Sequence, residues 1–294
     1  MTPEETPAPR TKYLGGQLAR KLSSWAMSEQ EHGSAPGVLS ELDESGIMLL
    51  TLNRPEQRNA LTGELAEELR TRIAEARPRR ARVVVVTGRG SAFCAGADLG
   101  ALTAGARNAA DRRQLLAEYY RAFLDLRDLP IPTIAAVNGP AIGAGFNLAL
   151  ACDLRILAES ARLAAPFLRL GIHPGGGCTW MLTRACGSAA AREILLLGEP
   201  VEAHRAQQLG LASQVVPDHE LDARAREVAL RIAGLPSRVV RDLKSALGLA
   251  EEGASFNSLL AVESLAQAES MGTEDAREGW AAFRERRPPR FRDL

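Results

Sequence analysis

The sequence predicts an α/β fold whose sheet is built first and whose helices gather toward the C-terminus. Three observations carry this. Residues 47–52 (Ile-Met-Leu-Leu-Thr-Leu) are a short apolar run closed by the turn-prone Asn53-Arg54-Pro55, as a strand is. Residues 83–86 are four consecutive valines, a β-branched run without alternation that suits a parallel strand covered by helices on both faces. Beyond Pro174 the apolar spacing becomes mostly helical.

The elements follow in order. Thr62 has the chemistry of an N-cap, with Glu64 in the first turn and Leu65, Leu69 and Ile73 at helical spacing behind it. Strand, helix and strand over 47–86 then make a right-handed βαβ unit. Residues 89–98 form a Gly- and Ala-rich loop, and 101–110 read as a mobile segment. A helix is expected over 112–127, with Leu115, Tyr119, Phe123 and Leu126 on one stripe. Residues 131–137 are a second buried strand, 139–145 a glycine-rich turn, 146–151 a small-residue helix and 152–157 a returning strand. Helices are expected over 179–186, 189–197, 203–209 and 221–232, with two more before Arg287. The chain shows no internal repeat. It divides into an extension over 1–36, an α/β core over 37–230 and a helical region over 231–294.

The extension is rich in Pro, Gly, Ser and charge and has no apolar h-region. Glu4, Glu5, Glu29 and Glu31 also argue against a transit peptide. A disordered segment is expected there. Met27 is an alternative start, since patterned sequence begins only at Val38.

Composition narrows the function. With 36 basic and 36 acidic residues the formal charge is zero, which disfavours nucleic acid as a partner. No apolar run approaches bilayer-spanning length, so no membrane partner is expected. Cys94, Cys152, Cys178 and Cys186 form no CxxC pair and have no histidine at zinc-ligand spacing. Free thiols in a reducing cytoplasm, with no metal, are the expectation.

The strongest chemical signal is a pair of glycine-rich turns, each after a buried strand: residues 92–99 (Ala-Phe-Cys-Ala-Gly-Ala-Asp-Leu) and 138–145 (Asn-Gly-Pro-Ala-Ile-Gly-Ala-Gly). Taken singly, either reads first as a tight turn or a close-packing point. Facing each other, they would aim backbone N–H donors at one developing oxyanion. Neither is followed by Gly-Lys-Ser/Thr, which disfavours a nucleoside triphosphate.

Leu52-Asn53-Arg54-Pro55, Arg58-Asn59-Ala60-Leu61, residues 93–99 and 137–143, Leu170-Gly171 with Pro174-Gly175, and residues 278–283 resemble, in order and spacing, consecutive signatures of the crotonase (enoyl-CoA hydratase/isomerase) superfamily. The resemblance covers about Val38 to Phe291. It implies a spiral of ββα units with a C-terminal helical region, assembled as a homotrimer or a dimer of trimers. It implies an acyl-CoA thioester substrate, with coenzyme A as part of that substrate and no other cofactor. By motif position, the N–H groups of Ala97 and Ala144 would polarise the thioester carbonyl. The backbone around Arg58, Ala60, Leu61, Ala95, Asp98 and Leu99 would line the CoA channel. Ala144 stands where glycine is usual; its N–H serves equally unless that residue needs a positive φ.

The same resemblance places hydratase carboxylates at two positions, occupied here by Asn147 and Phe167. A third acidic position used by other branches falls on Gly175. An amide orients water but cannot take its proton, and phenyl and hydrogen do neither, so ordinary hydration is not expected. His173 is a candidate substitute that titrates near neutrality, with a surface or packing role as the plainer reading. Tyr119 and Tyr120 read as core or pocket lining, Asp98 as a loop brace and Glu118 as a solvated residue. Arg162 and Arg169 would either meet an acidic substrate group or form structural ion pairs. Two functions fit. The first is an enzyme holding a thioester enolate with non-standard acid–base chemistry, whether decarboxylation, isomerisation or weak hydration. The second is a non-catalytic acyl-CoA-binding scaffold or regulatory protein.

Overall fold

In the computed structural model, which describes residues 35–292, strand order follows from where apolar residues fall. The extension expected over 1–36, with Met27, lies outside the described residues apart from Ala35 and Pro36. From Pro36 onward the chain forms one compact unit. Its main sheet contains β1 (Val38–Leu42), β2 (Ile47–Leu52), β3 (Val83–Gly88), β4 (Thr133–Val137), β6 (Leu154–Ala158) and β9 (Gln214–Val216), side by side in that order. β1 is antiparallel to β2, and every later pairing is parallel. Met48 lies beside Val84 and Val84 beside Thr133. The valine run of β3 and all of β4 are buried, as expected of central strands covered on both faces.

A second, smaller sheet explains the spiral. It contains β5 (Ala141–Ile142), β7 (Arg162–Ala164) and β8 (Val201–Glu202), and Cys94 bridges to Ala141 in the same direction. β4 passes through β5 into α4 (Ala144–Leu150), and β6 passes into β7, so each turn of chain visits both sheets. Residues 139–145, expected as a plain turn, thus contain a two-residue strand, and the helix after them starts two residues earlier than its pattern suggested.

Helices α1 (Gly63–Ala74) and α3 (Ala109–Arg127) are packed together, with α1 against β1. Thr62 caps α1 by accepting from the Leu65 N–H at 3.2 Å, and Leu65, Leu69 and Ile73 are buried. Asn108 caps α3, which buries Tyr119, Phe123 and Leu126, while Leu115 is only half-buried. The short α2 (Leu99–Thr103) runs into the segment expected to be mobile, because Asp98 Oδ1 accepts from the Ala101 N–H at 2.9 Å and starts a turn there.

The later helices are α5 (Cys178–Leu197), α6 (Ala203–Gln208), α7 (Leu221–Ala233), α8 (Ser237–Glu251), α9 (Phe256–Met271) and α10 (Glu274–Glu285). α5 breaks at Gly187, whose φ of 76° and ψ of 164° separate the two helices expected there. Three helices follow Pro236 where two were expected. Ser255 and Thr273 each cap a new start by accepting from the N–H three residues on. α8 is fastened to the sheet by Lys244, whose Nζ donates to the Ile131 carbonyl at 3.0 Å and to Asp153 at 2.7 Å.

Candidate functional site

The site is assembled from three loops that bond to one another. The Ala95 N–H donates to the Arg58 carbonyl at 3.0 Å, and the Leu61 N–H donates to the Gly96 carbonyl at 2.7 Å. These two bonds bring together the predicted residues Arg58, Ala60, Leu61 and Ala95 and carry Asp98 and Leu99 alongside. Arg58 and Asn59 both adopt the left-handed conformation, with φ of 50° and 54°. Asn59, fully buried, sustains the turn: its Oδ1 accepts from the Arg54 N–H, and its Nδ2 donates to the carbonyls of Arg89 and Ala92. Asn138 braces the other side, accepting from the Gly88 N–H and donating to the Gly90 carbonyl. Sequence reasoning took neither asparagine as a brace. The signal was present in the tolerance of asparagine for left-handed backbone and for bonding to nearby peptides.

The glycine-rich turns do face each other. The Cys94 N–H donates to the Pro140 carbonyl at 3.1 Å, and the Ile142 N–H donates back to the Cys94 carbonyl at 3.0 Å. Gly96 has a φ of 102°, and a Cβ there would stand 2.7 Å from the Ile142 carbonyl oxygen. A Cβ on Gly145 would stand 2.1 Å from the Cys94 carbonyl oxygen. Only hydrogen fits at either point, and this lets the backbones touch.

Ala97 directly follows Gly96, and Ala144 directly precedes Gly145. Among the described residues neither N–H donates to a protein acceptor; Ala144 opens α4, where intrahelical partners do not exist. The alanine at 144 costs no backbone strain. The positive φ falls on its neighbour Gly143, at 54°, and not on Ala144. Two unspent donors on apposed loops can bind a partial negative charge.

Asn147 lies one turn into α4 beneath Ala144 and is 1% exposed. Its Nδ2 donates to the Gly175 carbonyl at 2.9 Å, which fixes the amide's orientation and leaves Oδ1 buried with no hydrogen-bond partner. Phe167 is buried, and Gly175 sits against Tyr120. His173 is exposed, with Nδ1 bonded to the adjacent Pro174 carbonyl at 2.7 Å. Nothing joins it to Asn147 or to the alanine donors. Asp98 serves as the cap of α2. Arg162 pairs with Glu202, and Arg169 with Glu199 and the Leu197 carbonyl, all on the exterior.

Burial sets the protonation of nearby groups. It pushes the Cys94 thiol up to about 11, against the lowering pull of backbone bonds at Gly96 and Leu61. Burial, followed by the neighbouring Cys94 and Tyr120, holds the Tyr119 phenol protonated. Its hydroxyl donates to the Leu61 carbonyl at 2.7 Å, so Tyr119 anchors the loop and does not face the cleft.

Residues 43–294 match the model of the enoyl-CoA hydratase/isomerase family. The chain belongs to that family. A protein of Mycobacterium tuberculosis named as a probable enoyl-CoA hydratase is 46% identical over 212 residues, covering 71% of this chain and 80% of the relative. The 1,2-epoxyphenylacetyl-CoA isomerase of Escherichia coli is 36% identical, covering 84% and 95%. The crystal structure of an enoyl-CoA hydratase from Bacillus anthracis superimposes with a TM-score of 0.81 at 35% identity, covering 88% of this chain and all of that one. The crotonase fold and a CoA-thioester-binding, enzyme-like character follow for this member of the family. Among the described residues no helix is long and apolar enough to cross a membrane.

Proposed function

We propose that this protein binds an acyl-CoA thioester along the Arg58–Leu61 and Ala95–Leu99 segments and holds its carbonyl oxygen between the N–H groups of Ala97 and Ala144. In a desolvated cleft such a pair favours the thioester enolate over its ground state, and one donor of this kind contributes about 10²–10³ in rate. The unspent donors on loops fastened through Gly96, Gly145 and Cys94 carry this reading. Coenzyme A enters as part of the substrate, and the proposed chemistry calls for no other cofactor.

The acid–base part departs from two-carboxylate hydration. Asn147 offers an amide whose Nδ2 is already committed to Gly175, Phe167 offers a buried ring, and Gly175 offers no side chain. A reaction that makes the enolate without a protein base fits this site best. Decarboxylation of a malonyl-type thioester is such a reaction: the bond to the carboxylate breaks and its electron pair becomes the enolate. Isomerisation and weak hydration pass through the same enolate. The committed Asn147 amide favours, as a second reading, a scaffold that binds acyl-CoA without turning it over.

Two assays with purified protein separate these: loss of the crotonyl-CoA double bond beside a reference hydratase, and carbon dioxide release from methylmalonyl-CoA. Decarboxylation with crotonyl-CoA turnover at least ~10³-fold below the reference supports the proposal, that factor being the scale of a missing acid–base group. Hydration at the reference rate overturns the acid–base part. Binding of both thioesters with no turnover supports the scaffold.

We further propose self-association through the C-terminal helices, as a trimer or a pair of trimers, in a reducing cytoplasm that suits four free thiols.

A further inference from the structure

Tyr120 sits where the missing side chain of residue 175 would be. A Cβ on Gly175 would stand 2.1 Å from the Tyr120 hydroxyl oxygen and 2.9 Å from the ring carbon bearing it. The phenol therefore fills the space into which any residue other than glycine at 175 would project. A Cβ on the next residue, Gly176, would stand 2.9 Å from Asn147 Nδ2 and 3.1 Å from Tyr120 Cδ1. Asn147 and Tyr120 thus bracket one stretch of backbone, Gly175-Gly176, from two sides. The ring is held by Tyr119 and Phe123, with centroids 5.9 and 6.0 Å away.

Two polar atoms here have unused capacity. Asn147 Oδ1 is buried with no hydrogen-bond partner. The Tyr120 hydroxyl, unlike that of its neighbour Tyr119, makes no hydrogen bond among the described residues. Of the two, only the Asn147 oxygen is shut away from water, where polar groups are normally paired; the half-buried phenol is open to solvent. Asn147 lies three residues after Ala144 on α4, and residues so spaced share a helix face. The phenol is thereby tied, through Gly175 and Asn147, to the helix that Ala144 opens. Tyr120 also lines an open groove of about 420 Å³ along α3, with Ala109, Leu116, Ala117, Arg112 and Arg113.

We propose that the Tyr120 hydroxyl is the proton donor to the α-carbon of the thioester enolate, in the role that no carboxylate fills. This rests on the acyl-CoA reading above. The step balances simply. The Tyr120 O–H bond breaks, its proton forms the new Cα–H bond, its electron pair stays on the phenolate oxygen, and solvent water reprotonates the phenolate. Burial keeps the phenol protonated well past neutrality, as a donor must be. The ionisable and charged groups around it are Tyr119, held neutral, and the guanidiniums of Arg112 and Arg113; among the described residues no carboxylate lines the groove.

The test uses acetoacetyl-CoA, whose bound enolate is visible in the ultraviolet, so no turnover is needed. A donor aimed at the enolate lowers the pH at which the bound ligand ionises. Tyr120→Phe keeps the ring contacts and removes only the hydroxyl. We expect it to bind acetoacetyl-CoA within about twofold of the unsubstituted protein at a pH where the ligand is neutral. The ionisation midpoint should rise by about one pH unit or more, a tenfold change. Gly175→Ala, which displaces the hydroxyl without removing it, should move the midpoint the same way. An unmoved midpoint in Tyr120→Phe with binding intact overturns the assignment. If the unsubstituted protein does not bind acetoacetyl-CoA at all, the acyl-CoA reading itself fails and this assignment falls with it.

Discussion

The sheet region and the last three helices solve the same problem in opposite ways. β3 and β4 bury every valine, isoleucine and alanine they carry. α8 and α9 contain no buried residue, although both are rich in leucine and valine. Phe256, Leu265, Trp280 and Phe283 are all more than 60% exposed. Burying one such side chain is worth about 1.5–3 kcal/mol, so leaving four in water forgoes an amount comparable to the whole stability of a typical domain. The lesson concerns where the site draws its rigidity. The loops carrying Ala97 and Ala144 hang from strands whose burial is complete within one chain, and the helices contribute to that framework only at a few fastened points.

The largest expected effect lies at the tightest contact between the glycine-rich turns. Gly145→Val puts a branched side chain where even a Cβ would stand 2.1 Å from the Cys94 carbonyl oxygen, and backbone cannot yield as a side-chain tip does. Destabilisation of about 4 kcal/mol or more is expected in urea unfolding, with loss of acyl-CoA binding. If the variant keeps both its urea midpoint and its binding, the two turns are not held as rigidly as their contact implies.

Asp153 joins the two regions directly. Its Oδ2 accepts from the Thr133 N–H at 2.7 Å, from the Thr133 hydroxyl at 2.9 Å and from Lys244 Nζ at 2.7 Å. Removing the carboxylate leaves a strand N–H unpaired and a largely buried ammonium with only the Ile131 carbonyl to bond. Asp153→Ala should cost about 3 kcal/mol. Lys244→Met, which withdraws the charge and keeps the stem, should cost less than half as much. Equal losses in the two variants would mean that the ion pair, and not the strand contact, dominates.

Much of this architecture was legible in the sequence because apolar spacing and turn chemistry are local signals. The valine run, the Thr62 cap and the Gly187 break each stand in the sequence within a few residues of the feature they produce. The crossover into the second sheet was not legible. β5 is two residues long, and it exists because Cys94 and Leu163 lie beside Ala141 in space. The same distinction divides the site. Ala97, Ala144 and the Arg58–Leu61 loop could be placed by motif. The contact of Tyr120 with Gly175 could not, since the two are far apart in the chain and meet through tertiary packing. Asp98 braces its loop as expected, its Oδ1 accepting from the Ala101 N–H, but the short helix that this bond starts was not legible in so Gly- and Ala-rich a stretch.

Thiol burial provides a pH handle on the sheet region alone. Cys94 is fully buried with its pKa pushed from 9.0 to about 11, so the folded state keeps a proton that the unfolded chain gives up above pH 9. The resulting stabilisation is complete below pH 9 and is lost as pH rises toward 11. At 1.36 kcal/mol per unit, Cys94 alone accounts for about 2–3 kcal/mol of that loss. Cys152 and Cys178, pushed up to about 12, act in the same sense. Urea midpoints should therefore decline steadily across this window. Cys94→Ala should flatten the decline, and an identical slope in the variant would mean that another group carries it.

The smallest effect on the single chain is expected at the helices, and its size is itself informative. Phe283 is 87% exposed on α10, so Phe283→Ser removes almost no contact made within one chain. The unfolding free energy of the dilute, dissociated subunit in urea should change by less than about 0.5 kcal/mol, as for an ordinary surface substitution. Sedimentation velocity at micromolar concentration should nonetheless show a shift toward monomer, because the same ring would lose its place in a contact between chains. Leu265→Ser on α9, where no residue is buried, should act in the same way. A large loss in the dissociated subunit would show that these helices fold back on their own chain in solution. An unchanged sedimentation profile in both variants would show that subunits associate elsewhere, or not at all, and would leave the exposed apolar faces of α9 and α10 without the partner that their composition calls for.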